Sequence, residues 1–118
     1  LELGISVASV ALRREPTGCA TGFRGDVVAT AKRDLAAGET LDGEGGYTVY
    51  GRLTPARESL ALGALPLGLA SGAKLKHSIA AGEPVLWSDV NVVESDVVRF
   101  RREMETSFVG ELGLPPAA

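Results

Sequence analysis

One short stretch occurs twice. Residues 32–41 read Lys-Arg-Asp-Leu-Ala-Ala-Gly-Glu-Thr-Leu, and residues 76–85 read Lys-His-Ser-Ile-Ala-Ala-Gly-Glu-Pro-Val. The two align without a gap, so Leu35 matches Ile79, Gly38 matches Gly82 and Glu39 matches Glu83. Each copy reads as a turn held between apolar anchors. A glycine at the fixed place predicts a positive φ, which a Cβ would disfavour. Asp34 and Ser78 are short acceptors, predicted to bond backbone N–H groups of their own turns. Leu35 and Leu41, and likewise Ile79 and Val85, tuck each turn onto a core. Two such corners are what a pseudo-symmetric β fold presents. A repeat of this kind indicates architecture and names no reaction.

The rest of the composition sets bounds. A chain of 118 residues, 45% of them hydrophobic, is one small domain with a real but modest core. Fifteen glycines and few aromatic residues point to many turns and short strands. The net charge of −3 disfavours nucleic acid as a partner. Cys19 stands alone and forms no internal disulfide, and one cysteine with one histidine, His77, cannot build a thiolate–imidazole zinc site. No apolar run approaches the roughly 20 residues of a membrane span. Residues 3–12 are apolar, but the basic pair Arg13-Arg14 follows them, the wrong polarity for a signal peptide. The first residue is not Met, which predicts a processed protein or a piece of a longer one.

Residues 1–14 are expected to form a helix, with Leu3, Val7, Val10 and Leu12 near one face and small residues over the remainder. Such a surface suits close packing, on its own domain or on something outside this chain. Residues 15–25 read as a linker broken by Pro16, Gly18, Gly22 and Gly25. A first strand over 26–31 runs into the first turn. A short strand over 47–50 follows the loop Asp-Gly-Glu-Gly-Gly at 42–46. A helical turn starts at 54–60, with Thr54 as cap and Pro55 in first helical position. Residues 62–69 read as buried and irregular, since Pro66 argues against a central strand. A last short strand is expected near 91–93. A C-terminal helix from about 97 to 106 begins at Ser95-Asp96, with Val97, Phe100, Arg101, Met104 and Phe108 on its apolar side. The tail from Gly113 should fray.

Familiar catalytic patterns are missing. There is no G-x-G-x-x-G between strand and helix, no phosphate-cradling G-x-x-x-x-G-K-[ST] and no G-x-S-x-G elbow. Asp42 and Glu44 are carboxylates close in sequence, yet an exposed glycine-rich loop gives little burial to separate their pKa values. Lys74, Lys76 and His77 form a small basic run that reads as a solvated strand edge. No catalytic or metal-binding residue is assigned. Glu44, Tyr47, Tyr50 and Arg52, on the loop and strand between the two turns, are the candidate ligand-binding residues.

The paired turns, with their Asp/Ser-Leu/Ile-x-x-Gly-Glu core, resemble the SAF domain. That superfamily includes the antifreeze-like domain of sialic acid synthases, flagellar and pilus assembly chaperone domains, and the small domain of sugar-acid dehydratases. The resemblance spans about 26–93 and implies the β-clip, a pseudo-symmetric set of short, bent strands. The fold expected is therefore mostly β with flanking helices. A narrower likeness rests on the string GFRGDVVATAKRDLAAGETLDGEGGYTVYGRL at 22–53, supported by 60–76, by Trp87-Ser-Asp-Val90 and by the opening Leu-Glu-Leu-Gly-Ile-Ser-Val-Ala. It looks like the C-terminal region of homoserine-dehydrogenase-like, NAD(P)-dependent bacterial oxidoreductases. Their best-understood branch is a reductoisomerase acting on deoxyxylulose phosphate.

That likeness implies a division into an N-terminal helix and linker over 1–21, an SAF domain over 22–94, and a C-terminal helix and tail over 95–118. It implies a cytoplasmic parent enzyme whose NAD(P) and catalytic residues lie upstream, so that this stretch holds no cofactor and turns over no substrate alone. The implied partners are the upstream Rossmann and catalytic region of the same chain and a homo-oligomer, without nucleic acid or membrane. The competing expectation is a stand-alone or exported SAF module that binds an assembly partner or a saccharide-like ligand. The small domain of a sugar-acid dehydratase is a third, disfavoured because His77 is the single histidine.

Overall fold

In the computed structural model, which describes residues 2–113, β1 (Gly25–Ala31) is the organising strand. On one side it pairs antiparallel with β2 (Val49–Pro55), from Gly25 opposite Pro55 to Ala31 opposite Val49. On its other side it meets irregular segments. Ala29 donates to the Leu65 carbonyl and Ala31 to that of Glu83, both at 2.9 Å, and Val85 donates back to Ala29 at 2.8 Å. Flanked on both sides, β1 buries Val28, Ala29, Thr30 and Ala31. Helix α2 (Ala56–Leu62) follows β2 directly. A 3-10 turn, Leu67–Leu69, then leads to β3 (Lys74–Leu75), which pairs antiparallel with β4 (Val90–Asn91) after a second 3-10 turn, Trp87–Asp89.

The two repeats are related by an approximate two-fold. Leu35 and Ile79, equivalent positions, bridge each other antiparallel. Gly38 donates to Leu75, and its equivalent Gly82 donates to Ala31, both at 2.9 Å. Leu41 donates to Ala73 and Val85 to Ala29, both at 2.8 Å. Gly38 and Gly82 have φ of +82° and +84°, the left-handed conformation that the sequence predicts for them. The core lies around this axis, with Leu35, Leu41, Val49, Leu65, Leu75 and Val85 among its fully buried members.

Several expectations are corrected. The strands are short, as expected, and stand in a mixed helix-and-strand domain; the differences lie at particular residues. The second strand starts at Val49 and runs on to Pro55. Thr54 therefore belongs to β2; Pro55 takes the cap position of α2, with no side-chain cap. Asp34 does not serve its own turn: its Oδ1 accepts the N–H of Ala81, in the other repeat, at 2.9 Å. The first turn is held instead by Glu39, whose Oε2 accepts the Ala36 N–H at 3.1 Å.

The N-terminal segment is helical as expected, α1 (Glu2–Ala8) widening into a π turn, Ser9–Arg13, and ending where Arg14 adopts a left-handed φ of 58°. It does not pack on the body. Leu3, Ile5, Val7, Val10 and Leu12 are all largely exposed, up to 84% at Leu12. The radius of gyration, 16.7 Å, exceeds the ~13.5 Å of a compact domain of this length, because α1 stands away from the core. At the other end, α3 (Asp96–Val109) is capped by Ser95, whose side chain accepts from the Val98 N–H at 3.3 Å. Of its expected inward residues, Arg101, Met104 and Phe108 do turn toward the body, and two do not. Val98 and Glu105 are buried, whereas Val97 and Phe100 face solvent. The fraying tail falls almost wholly on 114–118, outside the described residues. Among the described residues no helix is long and apolar enough to cross a membrane.

Candidate functional site

The loop between the repeats is built around one carboxylate. Asp42 accepts the backbone N–H of Tyr47 and of Thr48 and the Thr48 hydroxyl, while its own N–H donates to Thr48 Oγ1 at 3.0 Å. A Cβ on Gly46 would lie 2.1 Å from the Asp42 carboxyl carbon, so only glycine lets the loop close over it. Lys32 Nζ donates to the Gly46 carbonyl and ties the loop to the first turn. The Thr48 hydroxyl, then the Tyr47 and Thr48 amides, hold the Asp42 carboxyl down at a pKa of about 2. Asp42 and Glu44 are thus not an acid–base pair. Asp42 is an internal acceptor committed to shaping the loop, and Glu44 points into solvent on the turn.

That loop delivers the remaining candidates to the surface. Tyr47, 85% exposed, stands just ahead of β2. Tyr50, 42% exposed, lies opposite Thr30, and Arg52, also exposed, lies opposite Val28. Two residues apart on one strand, Tyr50 and Arg52 share a face. The structure therefore places Tyr47, Tyr50 and Arg52 along one open strand rather than around an enclosed cavity. The surface depressions it does describe run along α3, past Asp96, Val97, Arg99, Phe100 and Glu103.

The basic run is engaged locally. Lys76 Nζ donates to the Ser88 carbonyl at 3.1 Å, and His77 Nε2 sits 2.9 Å from Asp89 Oδ1. Asp89 Oδ2 accepts the Leu86 N–H at 2.8 Å. These contacts close the second half of the pseudo-symmetric body. Arg33 pairs with Glu39 on the first turn; that guanidinium, seconded by the Ala36 amide, holds the Glu39 carboxyl below the usual range. Cys19 is exposed in the linker. Among the described residues no three His, Cys, Asp or Glu side chains come together as a metal set would.

Sequence reasoning missed the densest polar cluster. Asp26, at the start of β1, is gripped by both terminal nitrogens of Arg101, Nη1 and Nη2, at 3.1 and 2.6 Å, and by the Ser59 hydroxyl of α2. Arg101 Nε also donates to Glu105 at 2.8 Å; Glu105 further accepts from Arg102 at 2.8 Å and from Trp87 Nε1 at 3.3 Å. Phe23 lies under the Arg101 guanidinium at 5.0 Å, and Trp87 under that of Arg102 at 4.9 Å. Burial works to lower the Arg101 pKa, but its bonds to Asp26 and Glu105 outweigh that and raise it. Every polar member is bonded, and Asp26, Arg101 and Glu105 are nearly buried with Arg102 at the rim, so the cluster is a clasp holding α3 on the body. The Arg101/Glu105 spacing along one helix face was its only visible signal.

The matched repeats, the positive-φ glycines and the crossed hydrogen bonds form one body between β1 and β4, and comparison with known families covers the same span. No curated protein matches the sequence. The family profile described as SAF domain matches residues 26–91, from the second residue of β1 to the last of β4, more than half of the chain. The chain belongs to the SAF domain family.

Proposed function

We propose that this SAF domain is a non-catalytic module with a structural role at the C-terminal end of a larger NAD(P)-dependent oxidoreductase of homoserine-dehydrogenase-like type. On this reading its body is a β-clip, it works in the cytoplasm, and it packs on the catalytic region and shapes its entrance. The observation that carries the reading is α1. A helix with large apolar residues exposed all round is a helix meant for burial, and nothing among the described residues covers it.

The NAD(P) of such an enzyme would be held by upstream residues. The glycine-rich loop here does not fit a dinucleotide phosphate, because Asp42 already takes the Tyr47 and Thr48 amides that an anion would need. No catalytic step is assigned to this chain.

The test is the mass of the protein in its host, by immunoblot with an antibody raised to this domain, followed by NAD(P) binding to the band recovered. The expected result is a band far above 12.2 kDa that binds the nucleotide. A band near 12.2 kDa overturns the reading and leaves a stand-alone module whose partner remains to be captured.

A further inference from the structure

Two apolar surfaces are left uncovered, and they match each other. The first is the N-terminal helical segment, residues 2–13. At helical spacing Leu3, Val7 and Val10 fall on one side of it, and Ile5 and Leu12 on the other. All five are more than half exposed. The second is the outer face of α3, where Val97 and Phe100 are 65% and 73% exposed along an open depression. Met104, half-buried, carries that stripe toward the body. Taken backward along α3, Met104, Phe100 and Val97 are spaced four and then three residues apart. Taken forward, Leu3, Val7 and Val10 have the same spacing. Four-then-three is the spacing of a seam between two packed helices. The two helical segments are also alike in length, each about 20 Å.

We propose that α1 of one copy of the chain docks antiparallel on the outer face of α3 of a second copy, and the second returns its own α1 to the first. The register follows from the shared spacing: Leu3 meets Met104, Val7 meets Phe100 and Val10 meets Val97. Charge selects α1 as the occupant. The same register sets Arg13 opposite Glu94 and brings Arg14 to the corner that holds Asp96, whose side chain is 90% exposed. Two α3 helices packed on each other would instead press the acids Asp96 and Glu103 of one copy against those of the other. Ala8 and Ala11 fall opposite Arg99 and Asp96, so the long charged side chains meet small ones. A second copy is required because each chain holds its own α1 away from its body. The linker that carries α1 leaves the body at Phe23, whose ring packs against Phe108 of α3 at 6.0 Å. Each copy thus has one uncovered helix to give and one uncovered face to receive it, and a two-fold satisfies both in a closed dimer. This inference does not rest on the oxidoreductase reading. Ile5 and Leu12, on the other side of the helix, remain available to an upstream region.

Sedimentation of the 118-residue chain across micromolar to millimolar concentrations tests it. The expected result is a mass rising from 12.2 kDa toward twice that. Val7→Asp and Phe100→Asp, both at exposed positions that the fold does not need, should each raise the dimer Kd about tenfold or more. Ile5→Asp, on the other side of the same helix, should leave it unchanged. Mixing the two disruptive variants is the sharper test. The Phe100→Asp chain keeps an intact α1 and the Val7→Asp chain an intact α3, so the mixture should associate more tightly than either variant alone. Arg13→Glu should weaken the dimer and Glu94→Arg in the same chain should restore it, which keeps the proposal testable where an aspartate variant fails to fold. A monomer throughout overturns it, including one whose own α1 has closed onto its own α3. So does a dimer that Phe100→Asp leaves intact, or a mixture no tighter than its components.

Discussion

Leu35 and Ile79 hold each other across the centre of the molecule: the Leu35 N–H donates to the Ile79 carbonyl at 2.8 Å, and the Ile79 N–H returns to Leu35 at 3.0 Å. Each is the other's repeat equivalent, and both side chains are buried in the core. The duplication in sequence is therefore a contact in space, made at the axis that relates the two halves.

Cutting into that axis should be costly. Leu35→Ala removes a fully buried side chain at a place where two turns meet and the backbone has little freedom to collapse. The expected loss is about 2–5 kcal/mol, with Ile79→Val about 0.5–1.5 kcal/mol. Because the two residues touch, the double variant should depart from additivity. Urea denaturation followed by far-UV circular dichroism measures all of these. A Leu35→Ala loss below about 1 kcal/mol would mean that the axis is not central to stability.

The halves are not equally dependent on their turn-starting residues. Asp34 accepts the Ala81 N–H across the repeat, while Ser78 makes no matching bond to Ala37 among the described residues. Asp34→Ala should cost about 1 kcal/mol, the usual value of a lost capping bond, and Ser78→Ala should fall within about 0.5 kcal/mol of zero. Equal losses in thermal melts of the two variants would show that Asp34 serves no cross-repeat role.

Asp42 sets an acid limb on stability. Its carboxyl is held at about 2 in the folded chain, against 3.8 when unperturbed. A depressed folded pKa gives stability that is complete above the unfolded value and is lost as pH falls from about 3.8 through about 2. Asp42→Asn should flatten that part of the stability curve. Gly46→Ala should disturb the same loop by forcing a Cβ onto the carboxylate. An NMR titration placing the Asp42 carboxyl near 3.8 would refute the whole account of the loop.

These cases also show what a reader of the sequence could see. The repeat was legible because a positive-φ glycine between apolar anchors leaves a local signature, and Gly38 and Gly82 carry it. The partner of Asp34 was not, because the choice between its own turn and the other one is made by tertiary packing. The inner face of α3 was legible at Arg101, Met104 and Phe108 but not at Val97 and Phe100, for the same reason. Val97 and Phe100 look like core residues by hydropathy, but the body offers α3 a charged seat at Asp26 and a ring at Trp87, so the helix turns Arg101 and Glu105 inward. Tyr47 precedes β2, and Tyr50 and Arg52 lie on it; the register that sets Tyr50 opposite Thr30 and Arg52 opposite Val28 is made by tertiary packing, which no local pattern encodes.

The seat of α3 gives the last prediction. The Arg101 side chain is 14% exposed, and it separates the Asp26 and Glu105 carboxylates, 6% and 10% exposed. Arg101→Met keeps the length of the stem but leaves two nearly buried carboxylates facing each other without their cation. Such an uncompensated loss costs about 3–5 kcal/mol. Arg99, two residues before Arg101 and on the outer surface of α3, pairs with Asp96 and Glu103, yet both partners are open to solvent, so Arg99→Ala should change stability by less than about 0.5 kcal/mol. The single tryptophan reports on the difference. Trp87 donates to Glu105 and lies beneath Arg102, so release of α3 should shift its emission toward that of a solvated indole before the core unfolds. A variant at Arg101 that melts as the wild type does, with unchanged Trp87 emission, would show that α3 is held by apolar packing at Val98 and Phe108 and not by the clasp.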